Sequence, residues 1–104
     1  MGDEHLVTGT PAVRPSHPGR ILRGILAEAG IPRARFARHL GVSRPTVYAI
    51  IKETRPVTVD MAARLSRAFG NSTRFWLNLQ ANHDAWNAER AAAALDIEPI
   101  PHCA

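Results

Sequence analysis

Between residues 31 and 58 the chain sets Arg33, Arg35, Arg38, Arg44, Lys52 and Arg55 against a single acid, Glu53, a local charge of +5. Residues 1–30 sum to zero and residues 59–104 to −1, so the net charge of +4 and the pI near 10.6 originate in this one window. A cationic stretch of this density is either a solvated helix face or a surface that holds a polyanion. Other chemistry has little to work with. His5, His17, His39, His83 and His102 form no HExxH pair and have no cysteine partner at zinc spacing, so neither a metal nor a cofactor is expected. No nucleophile elbow and no phosphate-cradling glycine loop is present, so the chain does not read as an enzyme.

The bulk composition limits what could carry this charge. A chain of 104 residues suits one domain with a core large enough to fold independently. With 45% hydrophobic and 21% charged residues it has the balance of a globular protein, and no apolar run approaches the roughly 18 residues of a membrane span. The N-terminus, "MGDEHLVTGTPAVRPSHPG", has early acids and prolines where an export signal would be basic and then apolar. Cys103 is the only cysteine, so no intramolecular disulfide can form and a reducing compartment is the default. A cytoplasmic protein without a membrane partner is therefore expected.

Hydrophobic periodicity predicts an all-α fold. Ser16 could cap a first helix entered through Pro18, with Ile21, Leu22, Ile25, Leu26 and Ala29 on one face and Gly30 at its end. A second helix from about Arg33 to Leu40 buries Phe36, Ala37 and Leu40 and stops at Gly41. Ser43 caps a third, with Pro45 in its first turn and Val47, Ile50 and Ile51 inward. Thr58 caps a fourth, carrying Met61, Ala62, Leu65, Ala68 and Phe69, and Ser72 caps a longer fifth from Thr73 to about Ala94. Only "VTV" alternates as a strand would, and it is very short. The expected organisation is a flexible tail over 1–16, a helical domain over 17–94 and a C-terminal tail over 95–104.

The second and third helices are joined by "GVS" alone, which forces a sharp crossing in place of a long antiparallel hairpin. A small residue is needed where the helices approach, and Ala37 supplies it. Gly41 makes the turn, while Val47 and Ile50 plug the crossing. This resembles the helix-turn-helix pattern of DNA-binding proteins, over residues 33–52, and the basic window coincides with it; a helical hairpin that merely packs is the alternative. With three positions inward, the third helix presents Arg44, Thr46, Tyr48, Ala49 and Lys52, mostly from the N-terminal half that enters a major groove in this motif. Arg44 can give guanine a bidentate donor pair, Thr46 a methyl or hydroxyl, and Ala49 a contact to a thymine methyl. Tyr48 admits two roles, stacking on the DNA backbone or ordinary packing. Arg33, Lys52 and Arg55, with Ser43 at the helix start, form a candidate phosphate track, and Arg35 and Arg38 fit either that track or solvent.

Three blocks, "HPGRIL" at 17–22, the helix-turn-helix, and "RPVTVDMAARLSRAFGNSTRFWLNLQANHDAW" at 55–86, together resemble the HigA antitoxins of bacterial toxin–antitoxin modules, within the Xre repressor-like family. "FWLNLQ" is more specific than the helix-turn-helix, which many repressors share. The resemblance implies a five-helix, lambda-repressor-like domain that dimerises and binds a palindromic operator in double-stranded DNA of its own promoter. It also implies that the protein neutralises a HigB-type toxin, an RNA-cleaving protein. A stand-alone repressor without a toxin, or a toxin inhibitor with little DNA binding, are the alternatives. The chain departs from the family in having Arg20 where Glu is usual and Pro32–Arg33 at the start of helix two. After helix three, "KETR" replaces the common Asn-Gly turn, so that exit must differ or tolerate strain.

The last helix bears on assembly. Phe75, Leu79 and Trp86 recur at spacings compatible with one stripe, and Trp76 and Leu77 broaden it toward helix four. One side can close the core and another can meet a second subunit. A homodimer on a two-fold operator would set its recognition helices roughly 34 Å apart.

Overall fold

The computed structural model describes residues 13–101, which form five helices. These are α1 (Pro18–Ala29), α2 (Arg33–Leu40), α3 (Arg44–Ile51), α4 (Val59–Phe69) and α5 (Thr73–Ala92). The expected all-α fold is the one adopted. In the "VTV" segment, Val57 is buried in the turn before α4 and Val59 opens that helix, so no strand forms. Most of the expected N-terminal tail, residues 1–12, lies outside the described residues, as do His102 and Cys103.

Two short-range rules account for most of the helix boundaries. Hydroxyls cap α3, α4 and α5, where Ser43, Thr58 and Ser72 accept from the amides of Thr46, Met61 and Phe75. Glycines in the left-handed region, Gly30, Gly41 and Gly70, close α1, α2 and α4. The start of α1 departs from expectation, because His17 and not Ser16 is its cap. The His17 Nδ1 accepts from the Gly19 amide at 2.9 Å. Pro18 occupies the first helical position, which puts the cap on the residue just before it, and a neutral imidazole nitrogen accepts there as a hydroxyl would. Burial, reinforced by the adjacent His83, lowers the His17 pKa and so favours the form that can cap.

Every helix contributes to one core: Leu22 and Leu26 from α1, Phe36, Ala37 and Leu40 from α2, Val47, Ile50 and Ile51 from α3. Met61, Ala62 and Leu65 of α4 and Trp76 of α5 complete it. The stripe on α1 is narrower than periodicity suggests, with Ile21 and Ile25 half-buried and Ala29 exposed. On α5 the inward row is Trp76, Gln80 and His83, so two of its three members are polar. Trp76 is fully buried, Leu79 and Trp86 are half-buried, and Phe75 is 42% exposed. The helix ends at Ala92, slightly before the expected Ala94.

The exit of α3 resolves the missing Asn-Gly turn. Thr54 N donates to Ala49 O and Glu53 N to Ile50 O, both at 2.9 Å, the bonding of a glycine-type helix stop. Glu53 occupies the glycine position with φ +64°, the one non-glycine residue with positive φ among those described. A left-handed conformation costs a side chain about 1–2 kcal/mol, partly offset by the greater unfolded-state freedom of glycine. Glu53→Gly is therefore expected to stabilise the fold by roughly 0.5–1 kcal/mol, read as a rise in the urea midpoint at unchanged slope. A lower midpoint would mean that the Glu53 side chain contributes more than its backbone costs.

Candidate nucleic-acid interface

The elbow between α2 and α3 is fixed from both sides. Gly41, at φ +75°, donates to Arg38 O, and Val42 N donates to Ala37 O, which turns the chain within three residues. Arg64 of α4 then reaches across, its Nη1 donating to the Leu40 carbonyl at 2.7 Å while its Nε pairs with Asp60 at 2.9 Å. A cation on the last carbonyl of α2 answers the negative end of that helix and ties the elbow to α4. On the opposite side α1 crosses α3. A Cβ built on Gly19 would fall inside the Ile50 carbonyl oxygen, so "HPG" is needed for close approach as well as for capping.

Held this way, α3 turns Val47, Ile50 and Ile51 inward. Its free face carries exposed Arg44, Tyr48 and Lys52, with Thr46 and Ala49 half-buried between them. Tyr48, at 40% exposure, stands on this surface and is not core packing. The Thr46 hydroxyl is already engaged, lying 2.8 Å from Ser43 Oγ and accepting from Arg55 Nη1 at 3.0 Å. Arg55, which follows α3 in the chain, is thereby drawn back to the start of that helix, beside Ser43 and Arg44, and does not trail behind Lys52. Arg33 is exposed at the first position of α2. There Pro32 offers no side-chain cap, so the leading amides are not covered from within. Among the described residues none of the six cations of the window is held in an ion pair. Within residues 31–58 the one acid set against them is Glu53, and Asp84 of α5 lines the same depression as Arg55.

Gln80 explains why the "FWLNLQ" block matters to this surface. Its Oε1 accepts from the buried Val57 amide at 2.7 Å and its Nε2 donates to Asp84 at 2.9 Å, which anchors the loop carrying Arg55. Trp76 of the same block donates to Asn71 Oδ1 at 2.9 Å. Periodicity missed Gln80, His83 and Arg64 because their partners lie 23, 68 and 24 residues away. The His17 and His83 rings meet edge to face at 5.1 Å. The Nδ1 atoms of both are occupied, that of His17 by Gly19 N and that of His83 by the Pro15 carbonyl at 2.9 Å. Among the described residues no three His, Cys, Asp or Glu groups converge as a metal site would need. No described helix is long and apolar enough to cross a membrane.

Fold and surface together define a helix-turn-helix protein of the repressor-like type, and a helix-turn-helix family model matches residues 22–76. The chain belongs to that family and, within it, to the HigA antitoxins. The Pseudomonas aeruginosa antitoxin HigA, solved with the higBA promoter, is 45% identical and superimposes with a TM-score of 0.77 over 84% of this chain and 99% of that one. A Coxiella burnetii addiction-module antidote protein of the HigA family is 33% identical, with a TM-score of 0.75 over 85% of this chain and all of that one. Virulence-associated protein I of Dichelobacter nodosus is 38% identical over 82 residues, 78% of this chain and 76% of its own length.

Proposed function

We propose that this protein is a sequence-specific DNA-binding antitoxin. As a homodimer it binds a palindromic operator in its own promoter, represses its operon, and neutralises a HigB-type RNA-cleaving toxin in the cytoplasm. The working unit is residues 17–94, with 95–104 as a tail. The observation that supports this best is the unpaired basic face of α3, on a chain 45% identical to a HigA solved with promoter DNA. Arg44, Thr46, Tyr48 and Ala49 face the base edges. Arg33, Ser43, Lys52 and Arg55 face the phosphates, and Arg55 also holds Thr46 in place. The exposed and half-buried apolar residues of α5, Phe75, Leu79 and Trp86, supply the surface for the second subunit, while Trp76 serves the core.

Electrostatic binding gives a measurable slope. Affinity for operator DNA is expected to fall steeply from low to moderate salt, and Arg33→Ala to reduce the slope by about one ion without altering sequence preference. A flat response would leave a toxin inhibitor without DNA binding. The toxin part is tested in cells: co-expression with the neighbouring open reading frame is expected to abolish that product's toxicity, with the two proteins co-purifying. A harmless neighbour that does not associate would leave a stand-alone repressor.

A further inference from the structure

An apolar groove crosses the face formed by α1, α2 and α4. Phe36 and Phe69 stack at 5.4 Å on its floor, Ile25 and Ile31 line it, and its cavity measures about 340 Å³. The rim is cationic. Arg35 and His39 stand one turn apart on α2, and a second depression, sharing His39 and Ala68, continues the groove to Arg67. Neither Arg35 nor Arg67 has an ion-pair partner among the described residues. An occupant should therefore combine apolar side chains with negative charge.

The chain itself carries such a segment. Beyond α5, residues 95–100 read Leu-Asp-Ile-Glu-Pro-Ile, without helix or strand, so that aliphatic and acidic positions interleave. Leu95, Ile97 and Ile100 are 59%, 75% and 65% exposed, aliphatic surface without a partner in the fold. A chain cannot fill its own groove this way. Phe69, the last residue of α4, packs beside the first turn of α5, its ring 5.8 Å from Trp76, whereas the chain leaves α5 after Ala92, about 24 Å further along the helix. Leu95 follows Ala92 by three residues, a reach of about 10 Å, so residues 95–100 cannot turn back and lie together in the groove.

We propose that residues 95–100 of one copy dock in the α1–α2–α4 groove of a second copy, with the aliphatic residues over Phe36 and Phe69 and with Asp96 and Glu98 facing Arg35 and Arg67. This contact adds to the α5 surface of the dimer and lies on elements other than the DNA-reading helix. It deepens the homodimer reading, and its test does not depend on DNA binding.

The test uses two full-length copies. One carries Arg67→Cys with Cys103→Ser. The other keeps its natural Cys103, three residues beyond Ile100. On mild oxidation the mixture is expected to give a disulfide-linked heterodimer about tenfold faster than when the first copy carries its new cysteine at exposed Arg23. Asp96→Arg with Glu98→Arg on the tail copy should slow linkage about tenfold, and Arg35→Glu on the groove copy should recover most of it. Circular dichroism and a cooperative urea transition of each variant establish that it is folded. Linkage no faster than at the Arg23 control, or insensitive to the charge reversals, would overturn the proposal. So would capture of a co-expressed toxin by the introduced thiol in place of the tail.

Discussion

Gly19→Ala is expected to lower stability by about 3 kcal/mol or more, the upper range for a side chain forced into filled space. The obstacle is the Ile50 backbone carbonyl, which cannot rotate aside as a side chain would. Relief requires α1 to withdraw from α3, and this opens the core at Leu22 and Val47, each 1% exposed. Because α3 is the helix presented outward, DNA binding should weaken along with stability. Gly24 in the same helix provides the internal control, since a Cβ there meets nothing within 4 Å. Gly24→Ala should raise stability by roughly 0.5–1 kcal/mol through helix propensity alone. Urea denaturation of both variants checks the pair, and equal midpoints would show that α1 does not need the close crossing.

Arg44→Ala is expected to cost about 1–3 kcal/mol in operator affinity and to relax discrimination at one position of each half-site. The residue opens α3, is exposed, and has no ion-pair partner among the described residues, so its guanidinium is free to meet a base edge. Thr46→Ala is expected to relax base discrimination less than Arg44→Ala, because the Thr46 hydroxyl is shared with Ser43 and Arg55. Binding measured against operators varied one base pair at a time checks this. Uniform weakening on every sequence would make Arg44 a phosphate contact.

What could be read in advance was local. The caps at Ser43, Thr58 and Ser72 and the stop at Gly41 each depend on a few neighbouring residues, and the outward face of α3 follows once Val47, Ile50 and Ile51 are placed inward. His17 escaped because hydroxyls lead the cap preferences, while an imidazole can cap only if it stays neutral. Arg64, Gln80 and His83 escaped for a different reason. Each acts on a backbone atom far away in sequence, and a polar residue on a buried helix face looks, from periodicity alone, like a solvent position. Nor does spacing show that Arg55, nine residues on, bonds back to Thr46 in the first turn of α3.

The most direct measurement is a footprint and titration of the full-length protein on the fragment upstream of its own reading frame, in dilute buffer. A protected, two-fold-related pair of half-sites centred roughly 34 Å apart is predicted, bound at least about a thousandfold more tightly than unrelated DNA of the same length. Folded protein that bound the promoter no better than random sequence would contradict the role of α3 as the helix that reads DNA.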